Sequence, residues 1–301
     1  MITLENKNLL VKISRGRGAR VEHFIDRHTG KDWVWKYSPE LKKELHELDG
    51  FDENWEGGWE EVFPNDAPVE INQFKLTDHG ELWRRTWELI PSEDPNEAVF
   101  ELECETYPVI IQKKFLLKEN ELKIDYKIES RAAMDLPFIF KFHPALAIEP
   151  GDEFHMPGSY MEPVALGFSR LLGIDKKTVF PIGVAQSGEY VNIQRALPED
   201  GHSREFVRLS DLEEGMCALF NPGTGTRLTF QFPKDKFPYV WLFQSYGGFN
   251  GHYVSMLEPT NAGHYDLGEA HKNQQCGEIR PGEKLDFSLS LKLESSDMMI
   301  S

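Results

Sequence analysis

The feature that most constrains this fold is the repetition of short runs in which apolar and polar residues alternate. Asn8–Ser14, Ala19–Ile25 and Trp33–Tyr37 follow one another at about ten-residue spacing, as in an antiparallel meander. Roughly fifteen such runs can be counted, whereas only Ser38–Leu48 has the capping and first-turn residues of a helix. Strands do not alternate with long amphipathic helices, which argues against a parallel α/β sheet. We therefore predict an all-β chain, a large antiparallel β-sandwich with at most one or two short helices, formed as a single domain over residues 1–301.

The charge balance limits the choice of partner. The chain carries 33 Lys and Arg against 50 Asp and Glu, a formal net charge of −17. Nucleic acid and anionic membrane surfaces need a basic face, so neither is expected to bind. No secretory signal and no long apolar run is visible, which predicts a cytoplasmic location. Whether the protein is a monomer or a homodimer is left open.

The cysteines indicate neither a disulfide framework nor a metal site. Cys104, Cys217 and Cys276 are few and widely scattered, so we expect three free thiols that are buried or half-buried. No cluster with metal-ligand spacing is visible, and the sequence predicts neither a metal nor a cofactor.

One predicted apolar strand is followed directly by a carboxylate. Tyr239–Phe243 and Tyr253–Leu257 flank a Gly-Gly-Phe-Asn-Gly turn and have the composition of buried strands. The second run ends at Glu258, which is expected at the edge of a loop, and the turn is expected to be a structural feature at the far end of the hairpin. Trp241 could offer a flat platform to a ligand, although a strand tryptophan is more often a core residue.

Histidines and further acids stand beside aromatic residues elsewhere. His143 follows an apolar strand and precedes Pro144, and histidine exchanges protons near neutral pH. Glu60 and Glu61 are adjacent acids within a long aromatic loop. Each of these residues, taken alone, is more often an ordinary core or solvated side chain. Together, aromatic faces with acids and histidines suit a neutral polyhydroxylated ligand, namely a small-molecule carbohydrate.

A second histidine precedes a predicted strand. His79 stands before Gly80, and the apolar and aromatic residues of Leu82–Ile90 predict a strand in which Trp83 and Trp87 share one face.

The ordered set of motifs resembles the aldose 1-epimerase (galactose mutarotase-like) superfamily. No single motif is specific, but their order and spacing extend over residues 8–293. The motifs are the opening meander with Gly18-Ala19 and Asp26–Gly30, GGWEEVFPN from Gly57, DHGELWRRTW from Asp78, FKFHPALAI from Phe140, VSMLEP from Val254, and Arg280–Glu283.

The resemblance implies the supersandwich fold and a set of site residues. By position, His143 is similar to the family's general acid and Glu258 to its general base, while His79 is similar to a substrate-binding histidine. Glu61 and Trp241 are expected as further substrate contacts. The family's sugar-holding arginine and aspartate have no match that can be placed, which indicates a divergent member.

The resemblance implies interconversion of the α and β anomers of an aldose by an ionised Glu258 and an at least partly protonated His143. Three alternatives remain open. The fold could serve carbohydrate binding or sensing without catalysis. Glu60 or Glu61 could act with Glu258 as a glycosidase-like acid pair. A phosphorylated hexose could be the substrate if the arginines Arg84, Arg85 or Arg170 lined the pocket.

Overall fold

A computed structural model describes residues 1–37, 50–158, 160–164, 167–169, 171–173 and 177–295. The helix predicted over Ser38–Leu48 lies outside these residues.

Strands dominate the described part of the chain. The first twelve are β1 (Ile2–Glu5), β2 (Leu9–Ser14), β3 (Arg20–Asp26), β4 (Trp59–Val62), β5 (Val69–Ile71), β6 (Phe74–Leu76), β7 (Glu88–Ile90), β8 (Glu97–Glu103), β9 (Val109–Lys118), β10 (Glu121–Ser130), β11 (Leu136–Phe138) and β12 (Lys141–Pro144). The next twelve are β13 (Glu153–His155), β14 (Tyr160–Pro163), β15 (Thr178–Val179), β16 (Ile182–Val184), β17 (Tyr190–Asn192), β18 (Arg204–Ser210), β19 (Met216–Asn221), β20 (Thr226–Gln231), β21 (Tyr239–Phe249), β22 (His252–Thr260), β23 (Gly277–Ile279) and β24 (Lys284–Ser295).

Helices are short and few in the part of the chain that the structure describes. They are α1 (Phe51–Asn54), α2 (Leu267–Lys272) and one 3-10 turn, Leu82–Arg84. Asp266 caps α2 by accepting a hydrogen bond from the backbone N–H of Glu269. The predicted all-β architecture is confirmed.

Two large antiparallel sheets form the body of the fold. A ten-stranded sheet has the order β1-β2-β3-β4-β12-β22-β21-β18-β14-β15, and an eight-stranded sheet has the order β13-β19-β20-β24-β10-β9-β8-β7. Phe230 of the second sheet contacts Trp59 and Phe142 of the first, with ring centroids 6.2 Å apart in both cases. The core therefore lies between the sheets, as in a β-sandwich.

Alternation along each strand decides which side chains enter that core. In β9 and β10 every second residue is buried, so one face of each strand packs inward. In β4 the same alternation sends Trp59 and Glu61 between the sheets and leaves Glu60 on the outer face of the ten-stranded sheet. The cavity described below lies on that outer face.

Two of the strand predictions are wrong in part. The segment predicted as one strand over Leu82–Ile90 forms the 3-10 turn first and only then β7, because Trp83 packs edge-on against Phe51 instead of extending. Trp33–Tyr37 makes isolated bridges to Leu146 and Gly57 and is not a continuous strand. The predictions for β2 and β3 are confirmed.

The three cysteines have free thiols, with Cys104 and Cys217 buried and Cys276 half-buried, as expected. Within the described ranges, no helix has the length and apolar character needed to cross a membrane.

Candidate active site

A cavity of about 270 Å³ opens on the outer face of the ten-stranded sheet. This volume lies near the lower end of the range for small-molecule sites. Its lining combines aromatic rings with carboxylates, two histidines and one lysine. The residues are Phe51, Asp52, Trp55, Asp66, Ala67, Pro68, Asp78, His79, Lys141, His143, Phe168, Phe206, Phe243, Phe249, Met256, Glu258 and Tyr265.

Glu258 lies inside the sheet and not at a loop edge, which corrects the expectation. Strand β22 continues to Thr260, and the Glu258 side chain is 1% exposed. Lys141 Nζ lies 3.1 Å from Glu258 Oε2 and also bonds Asp66 Oδ2. Burial raises the pKa of Glu258, while the Lys141 ammonium opposes that rise. The lysine therefore makes a buried carboxylate tolerable at this position.

Lys141 stands between two acids. Burial disfavours its charge, but Asp66 and Glu258 together raise the pKa of Lys141 above its ordinary value. Its ammonium also lies 3.8 Å from the centroid of the Trp241 ring, close enough for a cation–π contact. Asp66, Lys141 and Glu258 therefore form an ion-paired group of two acids and one ammonium in the cavity lining.

His79 is held by backbone and side-chain contacts. It adopts a left-handed φ of 55° before Gly80, whose φ is 67°. A Cβ at Gly80 would stand 1.9 Å from the carbonyl oxygen of Phe63, so this turn requires glycine. Phe51 stacks on the imidazole with centroids 3.8 Å apart. The structure thus places His79 in the lining of the cavity.

The charge of His79 follows from its two acidic neighbours. Nδ1 lies 2.9 Å from Asp78 Oδ1, and Nε2 lies 3.4 Å from Asp66 Oδ1. Burial lowers the pKa of His79, but these two carboxylates outweigh it and the pKa is raised. His79 therefore carries more positive charge near neutral pH than a free imidazole would.

His143 also lines the cavity, but its charge differs from the expectation. It is 4% exposed, and its ring lies 5.5 Å from that of Phe51 and 6.0 Å from that of Trp55. Burial, together with the charges of His79 and Lys141, lowers the pKa of His143 well below its ordinary value. The resting imidazole is therefore neutral, and the expected partial protonation is not supported.

Glu60 stands directly behind His143. The two residues are cross-strand partners on β4 and β12, and His143 Nδ1 lies 4.0 Å from Glu60 Oε1. Glu60 is 1% exposed, and Arg20 Nη1 approaches Oε2 to only 3.7 Å. Burial raises the pKa of Glu60 to about 7.

This raised pKa predicts a pH-dependent stability. The folded state holds the Glu60 proton more tightly than the unfolded state, so the contribution is complete below pH 4.5 and is lost as the pH rises to about 7. Glu60→Gln stays neutral throughout and should gain about 3 kcal/mol relative to wild type across this interval. Urea unfolding at several pH values measures the difference. Parallel stability curves for the two proteins would contradict the assignment.

Glu61 and Trp241 are placed differently from the other predicted site residues. Glu61 points between the sheets, where Lys113 Nζ and the Tyr126 hydroxyl each bond it at 2.6 Å. Trp241 is fully buried, opposite Glu258 on β21, and lies beneath Lys141. Neither side chain is part of the described cavity lining. Trp241 contacts the cavity-lining Lys141 from beneath, and Glu61 is a residue of the core between the sheets.

The Gly-Gly-Phe-Asn-Gly segment contributes more than a turn. The tight turn itself is Asn250-Gly251, but the pairing of β21 with β22 shifts between Tyr246 and Phe249. This bulge, with Gly247 at a φ of 99°, turns Phe249 into the cavity. The expectation that the whole segment is structural is therefore wrong for Phe249.

Sequence reasoning missed Lys141, Asp66 and the aromatic pair Phe51 and Trp55. A signal for Lys141 was present, since it stands two residues before His143 and must share its face of the strand. The approach of Asp66 depends on the path of the loop after β4, and that path leaves no periodic pattern in the sequence.

The described residues contain no group of three or more histidine, cysteine or acidic side chains arranged to hold a metal ion.

The two stacked sheets have the architecture of galactose mutarotase-like proteins. A proposed aldose 1-epimerase from Escherichia coli K12 superposes with a TM-score of 0.70 at 16% identity, covering 98% of each chain. A galactose mutarotase-like protein from Lactobacillus casei ATCC 334 gives 0.69 at 15% identity, covering 98% of this chain and all of that one. A proposed aldose 1-epimerase from Klebsiella pneumoniae gives 0.72 at 15% identity over 98% of this chain and 79% of its own.

No protein-family model matches the sequence, and no curated protein matches it either. At these identities the structural likeness establishes the fold. The chain has the galactose mutarotase-like fold, as its motifs predicted, with a sequence far removed from its structural neighbours.

Proposed function

We propose that the protein interconverts the α and β anomers of an uncharged aldose. The observation that carries the proposal is the presence of His143 and Glu258 in one aromatic cavity of monosaccharide scale. Ring opening requires a base that reaches the C1 hydroxyl and an acid that reaches the ring oxygen. The proteins of the same fold that are described as aldose 1-epimerases or mutarotase-like support it.

In the proposed reaction, Glu258 takes the proton of the C1 hydroxyl while His143 gives a proton to the ring oxygen. The bond from C1 to the ring oxygen breaks, and C1 becomes an aldehyde. Rotation about the bond from C1 to C2 then presents the other face of the aldehyde, and closure reverses both proton transfers. The Lys141 ammonium favours the ionised form of Glu258 that the first step needs, against the burial that raises the pKa of this carboxyl group.

Two groups of aromatic rings in the cavity lining suit the C–H faces of a sugar. Phe51 and Trp55 lie beside His143. Phe206, Phe243 and Phe249 form the second group, with neighbouring centroids 5.5 to 5.7 Å apart. Such surfaces bind a pyranose by apolar contact and leave its hydroxyls to the polar end.

The balance of charge favours an uncharged substrate over a sugar phosphate. Among the described lining residues, Lys141 is the sole lysine or arginine, and two carboxylates already engage it. Arg85 pairs with Glu81 and Glu105 away from the cavity, and Arg84 does not line it either. Arg170 lies outside the described residues.

Exchange between anomeric protons, followed by NMR over a panel of aldoses and their 6-phosphates, tests the function. We expect acceleration for at least one neutral aldose, and kcat/KM about 100-fold or more lower for its 6-phosphate, because like charges brought together cost several kcal/mol. Calorimetric binding of a sugar without any acceleration would instead support a binding or sensing protein. Preference for the phosphate would overturn the assignment of substrate charge.

A further inference from the structure

Two buried polar side chains, one in the cavity lining and one behind it, face each other without hydrogen-bond partners. Glu60 Oε1 and Oε2 and His143 Nδ1 have no hydrogen-bond partner among the described residues. Unpaired buried polar atoms are rare and costly, and they cluster where function retains them. Here the unpaired atoms belong to adjacent residues, 4.0 Å apart across one strand pair.

The arginine nearest to Glu60 is engaged elsewhere. Arg20 Nε donates to Glu22 at 2.8 Å, and Arg20 Nη2 lies 3.5 Å from Glu56. Gly58 leaves room for the passing Arg20 chain, since a Cβ there would come within 2.9 Å of its Cδ. Glu60 therefore has the Arg20 guanidinium nearby but accepts no hydrogen bond from it. The charged and titratable groups close enough to act on Glu60 from its own side of the sheet are Arg17 in the turn before β3, Arg20 and Glu22 on β3, and His79 and His143 at the cavity. Glu61 and Lys113 act on it from the core side of the sheet.

We propose that Glu60 and His143 form a proton relay in which Glu60 supplies the proton that His143 delivers to the sugar ring oxygen. The relay rests on the proposed anomer exchange and names the source of its acid proton. His143 Nδ1 faces Glu60, which leaves His143 Nε2 as the nitrogen available to a ligand. The 4.0 Å gap is longer than a hydrogen bond, and catalytic contacts of this kind tighten when substrate binds.

The relay balances protons and charge. Nε2–H goes to the ring oxygen as the bond from C1 to that oxygen breaks, and Nδ1 takes the proton of the Glu60 carboxyl group. The C1 hydroxyl proton goes to Glu258, so one negative charge leaves Glu258 and one appears on Glu60. His143 ends neutral in its other tautomer, and Arg20 lies 3.7 Å from the new carboxylate. Ring closure reverses every transfer.

The relay explains how a neutral histidine can serve as the acid. Burial and two neighbouring positive groups keep His143 uncharged, so it needs a second donor behind it. His79 is a poorer source, because both of its ring nitrogens face carboxylates, Asp78 and Asp66. Glu60 holds a proton near neutral pH and has no competing hydrogen bond.

The test compares Glu60→Gln with Glu56→Gln in the full chain. Both remove a carboxylate beside Arg20, but Glu56 does not contact His143. We expect Glu60→Gln to lower kcat by about 100-fold or more with KM nearly unchanged. The relay also predicts that the wild-type rate falls as the pH passes about 7 and that Glu60→Gln loses this fall. Glu56→Gln should keep both kcat and the pH profile. Glu60→Asp, which retracts the carboxyl group by one methylene, should keep that fall in rate and lose part of kcat.

A second measurement does not depend on activity. Infrared spectra of the free protein should contain the C=O stretch of a protonated carboxyl group that titrates near pH 7, is lost in Glu60→Gln and persists in Glu56→Gln. Absence of that band overturns the relay.

The two failures are distinguishable. An active wild type whose Glu60→Gln variant keeps its rate and pH profile overturns the relay alone. A wild type that exchanges the anomers of no sugar overturns the proposed function, and the catalytic role of Glu60 with it.

Discussion

Glu258→Gln should slow anomer exchange by roughly 10²–10⁴-fold, the usual contribution of a positioned base. The amide is nearly isosteric with the carboxylate but cannot take the C1 hydroxyl proton. It also leaves Lys141 with Asp66 as its remaining acidic partner. NMR exchange between the anomeric protons of the best aldose measures the effect.

Glu269→Gln is the matched control for this substitution. Glu269 is an exposed carboxylate on α2, paired only loosely with Lys272 at 3.6 Å. It should retain the wild-type rate. If Glu258→Gln were as fast as this control, Glu258 could not be the base.

Lys141→Met should destabilise the fold by about 3–5 kcal/mol at neutral pH, since removing one partner of a buried ion pair leaves uncompensated charge. Asp66 and Glu258 would face each other without the ammonium that now contacts both. The penalty should shrink as the pH falls, because the buried Glu258 carboxylate, whose pKa burial raises, then takes up a proton. Urea unfolding at neutral and acidic pH checks both the magnitude and the trend.

Lys113→Met separates stability from function. Lys113 is another buried lysine, bonded to Glu61 at 2.6 Å within the core between the sheets. Both variants should lose stability by the same mechanism, but only Lys141→Met should also impair turnover. Equal kcat/KM values in the two variants would remove Lys141 from the catalytic machinery.

Local patterns predicted the architecture well wherever a strand is paired along its length and half-buried. The alternation in β2, β9 and β10 records directly which face enters the core. The same patterns fail where tertiary contacts override them. Trp83 has the spacing of a strand residue, yet it lies in a 3-10 turn against Phe51.

The site residues divide in the same way. His143, Glu258 and His79 each stand in a motif with a recognisable order, and the structure places all three in one cavity. Glu61 could not be separated from Glu60 by sequence, because the choice of face depends on the register of β4 against β12. That one-residue difference sends Glu61 to Lys113 and Glu60 to His143.

The sequence by itself determined an all-β sandwich, its family resemblance and two histidines with one late glutamate as candidate site residues, because periodicity and the order of motifs can be read along the chain without its three-dimensional structure. Only the tertiary structure decided their charges. Burial makes His143 neutral and raises the pKa of Glu60 to about 7. Folding also brings Lys141 next to Glu258. A pKa depends on desolvation and on charges brought close by folding, and residues far apart in the chain supply both.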